Sequence, residues 1–185
     1  MDEKYRVVTV CTGNICRSPA AERLLQARLA HAPEIEVSSV GTHALVDEPI
    51  QISMAHLLEQ SGISSGLFSA REANETTLRD ADLVLGMTRR HRSSVVALAP
   101  RLVRRTFTLR ELARIAQELR LEHDSAAGTA ERLRTLVDEA SRNRTPVSGD
   151  LDDIADPYRR DLEAYETAFA EIREAVDAIV DSLGR

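Results

Sequence analysis

Apolar residues recur along this chain in two rhythms. Short runs rich in β-branched residues, such as Tyr5-Arg6-Val7-Val8-Thr9-Val10, read as strands. Runs with apolar residues at three- and four-residue steps read as helices. Strands are predicted at 5–10, 35–40, 82–87 and 103–108. A helix is predicted over 19–31, with Ala21, Leu24, Leu25 and Leu29 on one face and Pro33 as its stop. Others follow over 51–60, stopped by Gly62, and over 89–99, stopped by Pro100. The last covers 161–183, where Leu162, Tyr165, Phe169, Ile172, Val176 and Ile179 form a core-facing stripe. Strands separated by helices imply an α/β fold, a parallel sheet with helices on both faces. Such sheets bind ligands at the carboxyl ends of their strands.

Residues 110–148 differ in character. They are charge-rich, helical in propensity and broken at Gly128. Two amphipathic helices are expected, over 109–123 and 129–142, followed by a loop over 145–149. Solvated helices packed on the domain edge are the expectation here, in preference to a partner-binding device. The chain of 185 residues is thus one domain with an extended helical insertion at about 110–148.

Composition narrows the function classes. A formal net charge of −6 argues against a nucleic-acid or membrane-surface binder. Trp is absent and aromatics make up 3%, which leaves little with which to stack bases. No apolar run is long enough to span a bilayer. Met1-Asp2-Glu3-Lys4 does not open a signal-peptide pattern. The cysteines, Cys11 and Cys16, share one loop, so no disulfide scaffold is expected and a cytoplasmic enzyme fits best.

The chemistry concentrates in Cys11-Thr12-Gly13-Asn14-Ile15-Cys16-Arg17-Ser18, between the first strand and the first helix. Strand, short loop and helix N-terminus together make a phosphate cradle. Backbone N–H groups from Thr12 to Arg17 can point inward, and Gly13 is expected to let the backbone turn where a Cβ would obstruct it. Asn14 tolerates left-handed angles and can brace the loop. Arg17 can grip two phosphoryl oxygens with its planar fork. The same donors favour a thiolate at Cys11, placing a nucleophile at the mouth of the loop, and the Ser18 hydroxyl can stabilise it. The leaving group needs an acid, and Asp156, in Asp156-Pro157-Tyr158, is the best candidate. An aspartate before a helix is by default a helix cap.

At these residues the chain resembles the low-molecular-weight protein tyrosine phosphatases. Cys11 to Pro19 matches that family's phosphate loop, and Asp156-Pro157-Tyr158 its acid motif. Ser38-Ser39-Val40-Gly41-Thr42 resembles the segment whose serine bonds the loop asparagine, a role that falls to Ser39. Asp82-Leu83-Val84-Leu85-Gly86-Met87-Thr88 resembles the third-strand segment. The resemblance implies a four-stranded parallel sheet between layers of helices, with no metal or organic cofactor. It implies two steps, with Cys11 attacking phosphorus while Asp156 acts as acid, and water then hydrolysing the phosphocysteine with Asp156 as base. Arg17 and the loop amides would stabilise the phosphoryl group, with Thr12, Gly13, Asn14, Ile15, Cys16, Ser18 and Tyr158 around the substrate. A phosphorylated protein is the implied partner, a bacterial tyrosine kinase among the candidates. Cys16 has two readings: a small residue filling space beneath the loop, or the family's thiol that traps oxidised nucleophile as a disulfide.

Substrate choice rests on few positions. Ile15 matches tyrosine-directed members, whereas phosphoarginine-directed relatives typically carry threonine there. His43-Ala44-Leu45 stands where many tyrosine-directed members have an aromatic residue, and Tyr158 is followed by Arg159 rather than a second one. A protein-arginine phosphatase is therefore the alternative. An arsenate reductase would need further cysteines, and a phosphoprotein-binding module would not need Cys11, Arg17 and Asp156 together.

Overall fold

The computed structural model describes residues 4–119, 121, 126–147 and 150–184. Four parallel strands form one sheet in the order β2-β1-β3-β4: β1 (Tyr5–Cys11), β2 (Ile35–Gly41), β3 (Leu83–Gly86) and β4 (Thr106–Thr108). The helices are α1 (Arg17–Arg28), α2 (Ile52–Gln60), α3 (Glu75–Leu78), α4 (Arg89–Leu98), α5 (Leu109–Leu119), α6 (Thr129–Arg142) and α7 (Leu162–Ser182).

Side-chain alternation divides the interior into two layers. Val7, Leu83, Leu85 and Phe107 join the buried faces of α1, α5, α6 and α7 in the larger core. Val8, Val10 and Val84 pack with Leu78, Val95 and Leu102 on the other side. β1 is hydrogen-bonded to β2 on one edge and β3 on the other. The strand order therefore reverses at β1, and a crevice opens at its carboxyl end, where Cys11 lies.

Several boundaries differ from the sequence reading. The predicted strand over 103–108 is only Thr106–Thr108, because Pro100 opens a 3-10 helix, Pro100–Arg105, whose Leu102 is buried. Proline fixes the φ that the first helical position requires. α1 begins at Arg17 and ends at Arg28, well short of Pro33; the Leu29 N–H closes it on the Leu25 carbonyl. Leu162 is 55% exposed, in the first turn of α7 and off the buried stripe, which runs Tyr165, Phe169, Ile172, Val176 and Ile179. The short α3 escaped the reading; an Asn74–Thr77 capping box holds it.

α5 and α6 are part of the core rather than an attachment to it. Leu109, Leu112 and Ile115 from α5 and Leu133, Leu136 and Val137 from α6 are buried with the α7 stripe. Arg144 fastens this region to the sheet. It pairs with Glu111 at 3.0 Å and lies 4.0 Å over the Phe107 ring. Residues 120, 122 and 123 of the helix expected over 109–123, and 148–149 of the loop expected over 145–149, lie outside the described residues. Among the described residues no helix is long and apolar enough to cross a membrane.

Candidate active site

The loop between β1 and α1 is held from outside by backbone hydrogen bonds. The carbonyls of Cys11, Thr12 and Gly13 accept from the N–H groups of Thr42, His43 and Leu45 at 2.9, 3.0 and 3.0 Å. The Ile15 carbonyl accepts from Gln51 N–H at 2.8 Å. In a trans peptide the N–H points opposite to the C=O. The N–H groups of Thr12, Gly13, Asn14 and Cys16 therefore turn away from that support and toward the inside of the loop. The Asn14 N–H shows this directly, meeting Cys11 Sγ at 3.3 Å. α1 begins at this loop with no side-chain cap and no acidic residue in its first turn. Its N-terminal amides and dipole thus present positive potential to the loop interior.

Asn14 keys the loop in place. Its φ is +54°, a left-handed conformation that asparagine accepts better than most residues. Its buried side chain donates to Ser18 Oγ at 2.9 Å and Ser39 Oγ at 2.8 Å, and accepts from Arg71 N–H at 2.8 Å. Ser39 in turn donates to Glu22, a buried carboxyl on α1 that also accepts from Gln26. Gly13 does not play the expected part. It lacks a positive φ, and a Cβ there would stand 3.5 Å from Ile15 Cγ1, an ordinary contact.

The glycine this loop needs is Gly41. A Cβ there would overlap the Thr12 carbonyl oxygen and lie 3.0 Å from both Cβ and N of Asn14. Gly41 cannot retreat, since its N–H bonds the Arg71 carbonyl at 2.8 Å and its carbonyl the Ala73 N–H at 2.7 Å. Gly41→Ala will push the loop out of register. Its expected cost is about 1–3 kcal/mol of stability, typical of overpacking, together with at least about tenfold lower turnover. Denaturant unfolding and steady-state kinetics check both; a variant with wild-type values on both counts would contradict this packing.

Cys11 is buried at the base, and the Ser18 hydroxyl donates to its sulfur at 3.0 Å. Arg17 is buried beside it. Its Nη1 donates to the Ile154 carbonyl at 2.9 Å, and its Nη2 pairs with Asp156 Oδ2 at 2.8 Å. Its buried Nε has no acceptor among the described residues. Asp156 is half exposed, and its other oxygen accepts the Tyr158 N–H at 3.2 Å. Asp156 is not the helix cap: Asp161 caps α7, accepting from Ala164 N–H at 3.0 Å. Burial, then the neighbouring Cys11, pushes the Cys16 thiol up to about 12, so Cys16 stays a neutral thiol.

Cys11, Thr12, Gly13, Ile15, Cys16, Arg17, Asp156 and Tyr158 line one cavity of about 210 Å³, joined by His43 and Leu45. Asn14, Ser18 and Ser39 lie buried behind it. The sequence reading missed Glu22, Arg71, Thr88 and His91. His91 is buried, with Nε2 2.9 Å from Thr12 Oγ1 and Nδ1 2.9 Å from Thr88 Oγ1. A signal for it existed: whatever follows β3 abuts the carboxyl end of β1, and Thr88-x-x-His91 is a capped helix start at that place.

Burial first, then the Arg17 charge, pulls His91 down to about 4 from an ordinary value near 6.5. The folded state therefore resists a proton that the unfolded chain accepts. This group's contribution to stability is complete above about pH 6.5 and is lost as pH falls toward 4, by up to about 3 kcal/mol. Urea unfolding at about pH 7 and about pH 4.5 should show a steeper loss in wild type than in His91→Asn. Equal losses would contradict it.

Comparison with known proteins gives the family and the fold. The family profile of low molecular weight phosphotyrosine protein phosphatases matches residues 6–144. The low molecular weight protein-tyrosine-phosphatase Etp of Escherichia coli K12 is 40% identical over 94 residues, which cover 51% of this chain and 62% of that protein. The protein-arginine-phosphatase of Geobacillus stearothermophilus is 28% identical over 97% of this chain and 96% of its own length. The crystal structure of the Erwinia amylovora tyrosine phosphatase AmsI superimposes with a TM-score of 0.72 at 25% identity, covering 98% of this chain and 95% of that one.

Proposed function

Since the chain belongs to the low molecular weight phosphotyrosine protein phosphatase family, we propose that it hydrolyses phosphotyrosine in proteins through a phosphocysteine on Cys11. One observation carries this reading. The Cys11 sulfur accepts both the Ser18 hydroxyl and the Asn14 N–H at the floor of a cavity that Arg17 and Asp156 also line. A thiolate, an anion cradle, a guanidinium and a carboxyl then converge on one phosphoryl group.

The phosphate enters against the loop amides and Arg17 and displaces the Asp156 carboxylate from its ion pair; the freed carboxylate takes up a proton from solvent and turns toward the leaving oxygen. Cys11 sulfur bonds to phosphorus as the ester P–O bond breaks, and the leaving phenolic oxygen takes the proton from Asp156. Water then attacks the phosphocysteine and gives a proton to Asp156. The S–P bond breaks, inorganic phosphate leaves and Ser18 again steadies the thiolate. Loop amides and Arg17 stabilise the transferring group in both steps.

Ile15, Leu45 and Tyr158 give the cavity apolar walls suited to an aryl group. A second reading, phosphoarginine hydrolysis, draws on the likeness to a protein-arginine-phosphatase over nearly the whole chain. Turnover of phosphotyrosyl, phosphoarginyl and phosphoseryl peptides decides between them. Preference for phosphotyrosine is expected. Preference for phosphoarginine would replace the substrate, and no turnover of any would remove the enzyme reading. In the cell the substrate would be a phosphorylated protein, a bacterial tyrosine kinase being one candidate, and the site of action the cytoplasm.

Cys16 completes the proposal as a protecting thiol. Peroxide converts the Cys11 thiolate to a sulfenic acid. Condensation with the Cys16 thiol then forms a disulfide and releases water. Dithiothreitol should restore peroxide-treated wild type but not Cys16→Ser; equal recovery would remove this role.

A further inference from the structure

Thr12, His91 and Thr88 form a chain of side chains from the cavity wall to the start of α4. Its hydrogen-bond polarity follows from the protons available. Thr88 Oγ1 already accepts the backbone N–H of His91 at 3.3 Å, as the helix cap. Its own proton is therefore best placed on Nδ1, which leaves the ring proton on Nε2. Nε2–H then donates to Thr12 Oγ1, and the Thr12 hydroxyl keeps its own proton for another acceptor. Thr12 lines the cavity beside Cys11 and Arg17, where the phosphoryl oxygens of a substrate would lie.

We infer that His91 is a positioning residue that, through Thr12, adds a side-chain hydroxyl donor to the backbone amides around the phosphoryl group. The inference rests on the phosphatase reading for its ligand, a phosphate monoester. The relay needs an imidazole with one N–H and one lone pair, and the surroundings keep it so. Burial disfavours the cation first. Arg17 opposes it next, Asp156 and Asp153 act the other way, and Arg90 adds a smaller opposing effect. A protonated ring would have no lone pair for the Thr88 proton, and the chain would break.

The substitutions separate relay from scaffolding by atom position. Asparagine at 91 places an amide near Nδ1 and cannot reach Thr12, whereas glutamine can place its amide nitrogen near Nε2. Thr12→Val should weaken binding of inorganic phosphate and lower kcat/KM by about tenfold or more, the usual loss for a hydrogen bond to a charged group. Thr12→Ser, which restores the hydroxyl, should regain most of it. His91→Asn should match Thr12→Val, His91→Gln should recover most of that loss, and Thr12→Val/His91→Asn should be no worse than either single variant. Nitrogen-15 NMR of the wild-type imidazole should show Nε2 protonated and Nδ1 bare.

Wild-type phosphate binding in Thr12→Val, multiplying losses in the double variant, equal defects in His91→Gln and His91→Asn, or the opposite tautomer would each overturn the inference. If His91→Asn does not fold, Thr12→Val and Thr12→Ser decide it with the imidazole in place. Phosphate binding that follows the pattern without turnover of any phosphopeptide would sink the phosphatase reading alone. Turnover without the pattern would sink this inference alone.

Discussion

Cys11→Ser will lower kcat by at least about 10⁴-fold while the protein continues to bind phosphate. The hydroxyl is a far weaker nucleophile than a thiolate, and nothing in this loop is a base that could activate it. The groups that hold phosphate are untouched, because Asn14 is fixed through Ser18, Ser39 and Arg71 rather than through the sulfur alone. Arg17 likewise keeps its Ile154 anchor. Kinetics with a phosphotyrosyl peptide and calorimetric titration with inorganic phosphate measure the two halves. Substantial residual turnover would mean that the nucleophile is not Cys11. Loss of phosphate binding would mean that the sulfur is part of the scaffold.

Asp156→Asn will reduce kcat by about 10²–10⁴-fold on a phosphotyrosyl peptide, the range for a lost general acid. The loss should shrink toward tenfold or less on an aryl phosphate whose phenol leaves without protonation. Phosphate binding should tighten, because the carboxyl that pairs with Arg17 at 2.8 Å no longer competes for it. Asparagine retains an oxygen to accept the Tyr158 N–H, so the turn survives. A loss independent of the leaving group would assign Asp156 to positioning rather than proton transfer.

These sites were unequally legible in the sequence. Cys11 through Ser18 is contiguous, and a strand before it and a helix after it fix its geometry, so its roles could be read locally. Asp156 was readable as a motif, but whether it caps a helix or faces Arg17 depends on which aspartate starts α7; Asp161 does. Glu22 was not legible because its significance comes from a partner 17 positions away, and His91 carried only the positional signal of a capped helix start after β3, since its partner Thr12 lies 79 positions away. Gly13 and Gly41 exchanged importance for the same reason. The tight approach is between the loop and the end of β2, and no local pattern displays it. In the fold, the alternation of strands and helices predicted the parallel sheet. The shortness of β4 was hidden because Val103 and the arginines around it read equally well as strand or as a proline-led 3-10 helix.

Covalent chemistry at Cys11 is decided by rapid acid quench of wild type mixed with excess phosphotyrosyl peptide. Mass analysis of the digested protein should find one phosphoryl group on the peptide carrying Cys11, accumulating more strongly in Asp156→Asn when the leaving group needs no acid. Turnover with no phosphorylated Cys11 at any quench time, or with the phosphoryl group on another residue, would contradict the account.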